Sequence, residues 1–354
     1  MKHAKRAVLG LSGGVDSAVC AALLKREGYE VLGVYLKSRR FRDDSEAAAK
    51  AATAADIGFR IVDISDALDT HVVAPFVSCY LCGQTPNPCI SCNPTVKFPA
   101  LVRAADEFGA ETIVTGHYAR IVRVPSCANP LVAASNSRND QSYMLYRLPP
   151  ETLERLKFPL AEVDKETVRF LATDLIPDLA EKPDSMEICF IPDDDRLGFL
   201  AREAGADTLE SLRGDFIDAN GNVLGQHDGI HCYTIGQRRG LTLAFGERAY
   251  VAAIDPVQKT VTLADNATVT KHTVFLKDCV WHYLPAETFP VRVRVRHSRT
   301  YAEGVVTPNS DGTAVITFAD GVRAPAPGQS AVCYGDLDGE TNVVFGGGVI
   351  AEKI

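Results

Sequence analysis

Nowhere do the 354 residues hold an unbroken apolar stretch of the roughly 18 residues that a membrane-crossing helix needs. No spanning segment, and no membrane partner, is expected. Internal repeats and low-complexity tracts are also missing, which argues against a solenoid or a disordered linker protein. Nor is there an excess of positive charge. The 37 Lys and Arg stand against 45 Asp and Glu, a net charge of -8. Any contact with a nucleic acid therefore has to come from a local basic patch. A secretory leader is not legible either. Met1 to Arg6 are basic, but a strand and a glycine loop follow them, not an apolar run with a small-residue cleavage site. A cytoplasmic protein is expected. In a reducing compartment its ten cysteines need a reason other than disulfides, and closely spaced cysteines there point to metal binding or catalysis.

What is present is a chain too long for one ordinary core. Two or three domains are expected, with apolar residues at 46% supporting a folded protein. The first third alternates strands and helices. Ala7–Leu11, Glu30–Leu36, Phe59–Ile64 and Thr112–Thr115 read as strands. Residues 18–26, 45–57 and 100–108 read as helices, and a helical pattern continues over 142–175. This alternation predicts a doubly wound parallel sheet, with ligands at the carboxyl ends of its strands. After about residue 202, Gly, Asp and Asn turns separate short β runs, a pattern of two small β domains. The expected boundaries are 1–202, 203–269 and 270–354.

Ser12-Gly13-Gly14-Val15-Asp16-Ser17 lies between a predicted strand and a predicted helix. Two glycines let the backbone approach an anion, and a helix N-terminus offers it free amides and the positive end of a dipole. The Lys-Ser/Thr pair of a Walker loop is absent, and so is Gly-x-Gly-x-x-Gly. The hexapeptide in this setting resembles the loop of the N-type ATP pyrophosphatases, which cut ATP between its α and β phosphates and leave AMP on a substrate oxygen. The resemblance implies ATP held by Gly10, Leu11, Ser12, Gly13, Gly14, Val15, Asp16 and Ser17, with Asp16 as the carboxylate linked to Mg2+.

Two C-x-x-C pairs, Cys79/Cys82 and Cys89/Cys92, lie six residues apart, and Cys189 sits in Ser185-Met186-Glu187-Ile188-Cys189-Phe190. Read by spacing, the four close cysteines are a candidate zinc site. The surrounding residues point elsewhere. Gly10–Ser17, Thr85–Asn93 with Lys97-Phe98, Thr115–Arg120, Asp140–Tyr143, Lys182–Ile191, His231–Leu241, Pro327-Gly328-Gln329 and Gly346-Gly347-Gly348 follow one another in the order found in the tRNA-specific 2-thiouridylases. On these motifs the chain resembles that family over nearly its whole length.

The resemblance implies adenylation of the C2 oxygen of a wobble uridine, followed by replacement of that oxygen with sulfur. Cys92 is implied as the nucleophile and Cys189 as the persulfide carrier, the two closing a transient disulfide. Cys89, Cys92 and Cys189 could alternatively hold three irons of a [4Fe-4S] cluster. Many family members have Asp at the position of Cys89, and Cys79 and Cys82 depart from the pattern as a zinc site or an extra redox pair. Leu36 and Gly116 are implied near the adenosine. Asn87, Pro88 and Cys89 are implied beside the flipped base, and His117, Asn139, Asp140, Gln141, Arg296, His297 and Gln329 as tRNA contacts. His117 also reads as a general base or a structural histidine. The implied partners are tRNAs for Lys, Glu and Gln and a sulfur-carrier protein or cysteine desulfurase.

Two basic segments stand apart from the motifs. Lys37–Arg42 is either an RNA contact or a solvated loop. Arg292, Arg294 and Arg296 alternate as if to line one strand face and track phosphates. Two other readings remain. One is an ATP pyrophosphatase that passes nitrogen, for which Cys92 and Cys189 have no use. The other is a zinc-stabilised RNA-binding protein without catalysis, for which the phosphate loop has none.

Overall fold

The computed structural model describes residues 5–175, 188–241 and 249–352. These form two compact units. The first comprises residues 1–72, 89–194 and 336–344, the second 73–88, 195–335 and 345–354.

In the first unit the strands are Arg6–Gly10 (β1), Glu30–Lys37 (β2), Gly58–Asp63 (β3), Thr112–Val114 (β4), Ala119–Val122 (β5), Leu131–Ala134 (β6) and Leu156–Lys157 (β7). Five of them make a sheet in the order β3-β2-β1-β4-β7, with every pairing parallel. Ala7, Val8 and Leu9 have no exposed surface, because helices cover both faces of the central strand. Burying Leu9 alone contributes about 1.5–3 kcal/mol. Helices Val15–Arg26 and Ser45–Ala54 supply Ala18, Val19, Ala21, Leu24, Ala48 and Ala51 to the same core. The chain leaves β1 toward β2 on one side and reaches β4 on the other, so the strand order reverses at the carboxyl end of β1. Open parallel sheets bind ligands at that reversal.

The helical reading of 142–175 is corrected. Only a short 3-10 turn Ser142–Met144, a four-residue helix Pro150–Leu153 and β7 break the irregular chain there, and a full helix begins only at Lys165. Pro149 and Pro150 lack amide donors and Pro159 follows shortly after, so one continuous ladder of hydrogen bonds cannot form.

The second unit carries two β structures. Gly214–Ile217 (β8), Val223–His227 (β9), Tyr250–Asp255 (β10) and Thr260–Ala264 (β11) form a four-stranded sheet over Phe216, Ile230, Val251, Val261 and Leu263. Thr270–Trp281 (β12), Phe289–Arg294 (β13), Ala302–Pro308 (β14), Ala314–Arg323 (β15), Ser330–Leu337 (β16) and Glu340–Ala351 (β17) follow. They run β12-β15-β14-β13-β16-β17, and β17 pairs back on β12, which closes a barrel and leaves no open edge there. Among the described residues no helix is long and apolar enough to cross a membrane.

Candidate active site

The phosphate loop leaves β1 and enters the Val15–Arg26 helix at Gly14, whose backbone is extended and which makes no side-chain cap. Ser17 organises the turn. Its hydroxyl donates to Gly14 O at 3.0 Å and accepts from Ser12 N at 3.2 Å, with Ser12 Oγ also 3.2 Å away. Gly13 has φ +77°. Gly116, expected near the adenosine, lies against the same turn. A Cβ there would meet Asp16 Cβ at 3.0 Å and Ser17 N at 3.3 Å, so the strand end and the helix start can approach only through glycine. Leu36, expected with it, is half-buried near the end of β2 in register with Val62.

Asp16 is engaged. Lys165 Nζ lies 2.8 Å from each of its carboxylate oxygens, and Tyr118 donates its hydroxyl to Oδ1 at 2.8 Å. Among the described residues no group of three or more His, Cys, Asp or Glu is placed to hold a metal ion.

Cys89 and Cys92 lie on the short helix Pro88–Cys92, and a π-helical turn, Asn93–Lys97, follows before helix Phe98–Phe108 begins. A π turn of this kind often marks a functional position. Asn93 is almost fully buried, and its amide Nδ2 donates to Met144 O at 2.9 Å. Cys189, 97 residues on from Cys92 in the chain, returns close enough for the charges of Cys89, Cys92 and Lys97 to act on it. Cys189 is exposed at the surface, yet the protein atoms crowded around its thiol raise its pKa, with further increments from Cys89 and Cys92, up to about 12. Burial also raises Cys92, against the lowering pull of the Lys97 ammonium. The thiols of Cys89, Cys92 and Cys189 act on one another electrostatically, the neighbourhood that the persulfide and the [4Fe-4S] readings both need. Cys79 is half-buried near the end of helix Ala74–Leu81, and the exposed Cys82 is its C-cap.

A raised pKa means that the reactive thiolate is the minor form until pH approaches that pKa. Alkylation of resting Cys189 by iodoacetamide, followed by peptide mass analysis, is expected to rise about tenfold per pH unit from 7 to 10 with no plateau. A plateau below pH 9 would contradict the raised pKa assigned to this thiol.

The comparisons with known proteins decide the family. The family description "tRNA methyl transferase HUP domain" matches residues 5–193, "tRNA methyl transferase PRC-barrel domain" residues 204–265 and "Aminomethyltransferase beta-barrel domain" residues 271–350. The tRNA-specific 2-thiouridylase MnmA 2 of Clostridium botulinum is 37% identical over 357 residues, covering 98% of both chains. MnmA of Clostridium perfringens is 37% identical over 363 residues with 98% of both covered, and that of Clostridioides difficile 35% over 367 with 99% of both. The chain belongs to the tRNA-specific 2-thiouridylase family.

In this 2-thiouridylase-family chain the residues expected to contact tRNA fall into distinct environments. His117 accepts or donates at Nδ1 to Thr115 Oγ1 at 2.7 Å and stacks on Phe98, and burial together with Lys97 pushes its pKa well down. It is therefore neutral at pH 7. Asp140 is buried, receiving Ser135 N at 2.8 Å and the Ser142 hydroxyl at 2.9 Å. Gln141 receives Tyr118 N at 3.1 Å on its side chain and donates its own N–H to Tyr118 O at 2.8 Å. These two side chains shape the loop from within, whereas Asn139 is exposed. The basic run after β2 is largely neutralised. Lys37 pairs with Asp43, Arg39 with Asp66 and Asp69, and Arg40 with Asp69.

In the second unit three of the sequence motifs converge on Thr85. Its hydroxyl bonds Thr234 Oγ1 at 3.0 Å, its N–H donates to Pro327 O at 2.9 Å, and its carbonyl receives Gln329 Nε2 at 2.8 Å. Gln329 thus anchors the segment that leads to the half-buried Asn87 and Pro88. His297 is exposed, and Arg296 is exposed with its guanidinium donating to Ala324 O at 3.1 Å.

The arginine stripe is corrected. β13 ends at Arg294, so Arg296 lies beyond the strand. Arg294 is buried, its guanidinium over the rings of Tyr301 at 4.3 Å and Tyr334 at 4.9 Å. It is a core residue held by cation–π contact. Arg294→Ala is expected to lower stability by about 2–4 kcal/mol through lost packing and lost cation–π contact. It should leave the salt dependence of tRNA binding unchanged. Urea unfolding and a salt titration of tRNA affinity check both halves.

Cys20 and Cys333 are buried, while Cys232 and Cys279 are only half-buried. Residues 1–4 and the 182–187 part of the Lys182–Ile191 motif lie outside the described residues. Sequence reasoning missed Lys165 and gave Tyr118 no role. A signal was present for the lysine, since a cation at the first position of a helix opposes the dipole and needs a compensating anion.

Proposed function

We propose that the chain is a tRNA-uridine 2-sulfurtransferase that thiolates the wobble uridine of tRNA with ATP. The observation that carries the mechanism is the return of Cys189 into the electrostatic field of Cys92, in the same unit as the phosphate loop. The C2 oxygen of the uridine attacks the α-phosphorus of ATP, and pyrophosphate leaves. The loop amides and the helix dipole stabilise the charge gathered on the departing phosphates. The terminal sulfur of a Cys189 persulfide then attacks C2. AMP leaves, and the base is joined to Cys189 through a disulfide. The Cys92 thiolate attacks Cys189 Sγ, expelling 2-thiouridine and forming a Cys92–Cys189 disulfide. A dithiol reductant reopens it, and a persulfide donor, a sulfur-carrier protein or cysteine desulfurase, reloads Cys189.

In this reading residues 1–202 carry the chemistry, and 203–269 and 270–354 hold the tRNA. Asn87, Pro88 and Cys89 border the flipped base, and Asn139, Arg296 and His297 reach the backbone or loop of tRNAs for Lys, Glu and Gln in the cytoplasm. Mg2+ enters with ATP.

The test supplies metal-free protein with unmodified tRNA, Mg·ATP and a small-molecule persulfide, and analyses the tRNA nucleosides by mass. 2-Thiouridine is expected. Thiolation only after iron and sulfide reconstitution would replace the persulfide route by a cluster. AMP formed on another acceptor, without thiolation, would leave a nitrogen-passing ATP pyrophosphatase.

A further inference from the structure

Cys79 and Cys82 have no task in the thiolation route, yet the fold presents them together. Cys79 lies in the last turn of the helix Ala74–Leu81, and Cys82 is its C-cap. Both thiols are free, Cys79 half-buried and Cys82 exposed. Cys82 N donates to Cys79 O at 3.1 Å. A turn closed by such a bond holds its first and last Cα atoms within about 7 Å, and residues three apart on a helical turn share one face. A disulfide spans Cα atoms about 4.4–6.8 Å apart.

The turn is firmly held. Cys79 O also receives Gln84 N at 2.9 Å, and Tyr80 O receives Gly83 N at 3.0 Å. Tyr80, between the two cysteines in the chain, is buried. Gly83 has φ +67°, and a Cβ there would stand 2.5 Å from Ile254 Cγ2, so the backbone after Cys82 is pressed onto β10. The two thiols are thus offered on a fixed turn, and joining them needs no unfolding of it. Charge favours a definite order of reaction. Burial raises the Cys79 thiol, the neighbouring Cys82 adds to the rise, and the Lys277 ammonium pulls against both. Once Cys82 is capped by another sulfur its charge is gone, and Lys277 opposes burial alone.

We propose that Cys79 and Cys82 are a dithiol–disulfide site whose substrate is a low-molecular-weight disulfide of the glutathione type. The exposed Cys82 thiolate attacks one sulfur of that disulfide, forms a mixed disulfide and releases one small thiolate. The Cys79 thiolate then attacks Cys82 Sγ, expels the second small thiolate and closes the Cys79–Cys82 bond. Two electrons pass from the protein dithiol to the small disulfide, and the two protein thiol protons end on the released thiolates. A small dithiol reverses both steps, since exposed disulfides are the labile ones. The site does not depend on the roles assigned to Cys92 and Cys189.

The experiment incubates the reduced full-length protein with mixtures of reduced and oxidised glutathione. Free thiols are capped with N-ethylmaleimide, and chymotryptic peptides are read by tandem mass spectrometry. Cleavage after Tyr80 or Leu81 separates the two cysteines unless a disulfide joins them. A Cys79–Cys82 link, released by dithiothreitol, is expected in the wild type. In Cys79→Ser no internal thiol resolves the mixed disulfide, so the glutathione adduct on Cys82 should rise at least about tenfold over wild type, because an intramolecular thiol acts at an effective concentration of about millimolar. In Cys82→Ser, Cys79 should gain glutathione at least about tenfold more slowly than Cys82 does in Cys79→Ser. Equal rates in the two variants would remove Cys82 as the attacking thiol. Separate adducts on both cysteines of the wild type, a link from either to a third cysteine, or two free thiols in every mixture would overturn the proposal. So would zinc that copurifies with the wild type and is lost in both serine variants, which would make the pair a metal site.

Discussion

Cys189→Ser is expected to abolish 2-thiouridine formation, a loss of at least about 10^3-fold, while tRNA-dependent release of pyrophosphate from ATP, with AMP left on the tRNA, persists. A serine oxygen cannot carry a transferable sulfur atom. In the proposed mechanism adenylation rests on the loop that follows β1, which holds no thiol. Cys92→Ser fails differently. Sulfur from Cys189 still reaches C2, but no internal thiolate is left to cut the disulfide that joins the base to Cys189. Without added thiol, a covalent tRNA–protein adduct should accumulate to one per chain, and dithiothreitol should release 2-thiouridine from it. Denaturing gels with labelled tRNA and nucleoside mass analysis read both outcomes. Thiolation at the wild-type rate in either variant would end the assignment. An adduct in Cys189→Ser but not in Cys92→Ser would exchange the two roles.

The parts of this site legible in the sequence are those written locally. A buried apolar run, two glycines and an apolar helical run announce β1, the loop and the Val15–Arg26 helix within 21 residues. The parallel sense of the sheet follows from β-α alternation. Contacts between distant segments carry no such local mark. Cys92 and Cys189 are 97 residues apart and Asp16 and Lys165 are 149 apart, so the first pairing entered through family resemblance and the second did not enter at all. Alternation misled at Arg292, Arg294 and Arg296, because period two says which side of a strand a residue takes but not which side is wet. Aromatic partners in neighbouring chain segments, Tyr301 and Tyr334, make a guanidinium stable in the core. The hairpin of β5 and β6 was unread as well. Its strands are four residues each, and the eight residues between them include no Asn-Gly or Asp-Gly turn.

The two loop glycines look alike in sequence, yet they should respond differently to alanine. Gly13 has φ +77°, a left-handed conformation that costs an L-residue about 1–2 kcal/mol. An added Cβ would also stand 2.9 Å from Asp44 O and 3.1 Å from Ala48 N. Both are backbone atoms where the Ser45–Ala54 helix begins, so no side chain can swing aside to make room. Gly14 has φ -97°, and a Cβ there would touch only Ser12 Oγ at 3.5 Å. Gly13→Ala is therefore expected to lower the stability of the free protein by at least about 1–2 kcal/mol, the backbone cost alone. Because the loop must shift to relieve the contact, affinity for α,β-methylene-ATP should fall at least about tenfold, the loss of roughly one hydrogen bond to a displaced amide. Affinity for tRNA should stay within about twofold, well under 1 kcal/mol. Gly14→Ala should leave stability within about 0.5 kcal/mol, as for a substitution without strain. Its effect, if any, belongs to the nucleotide-bound form, where the amide of residue 14 faces the anion. Urea unfolding of the nucleotide-free proteins separates the cases. Equal destabilisation by the two alanines would show that the loop is not held by the backbone of Gly13, and the geometry assigned to its approach to the second helix would have to be abandoned.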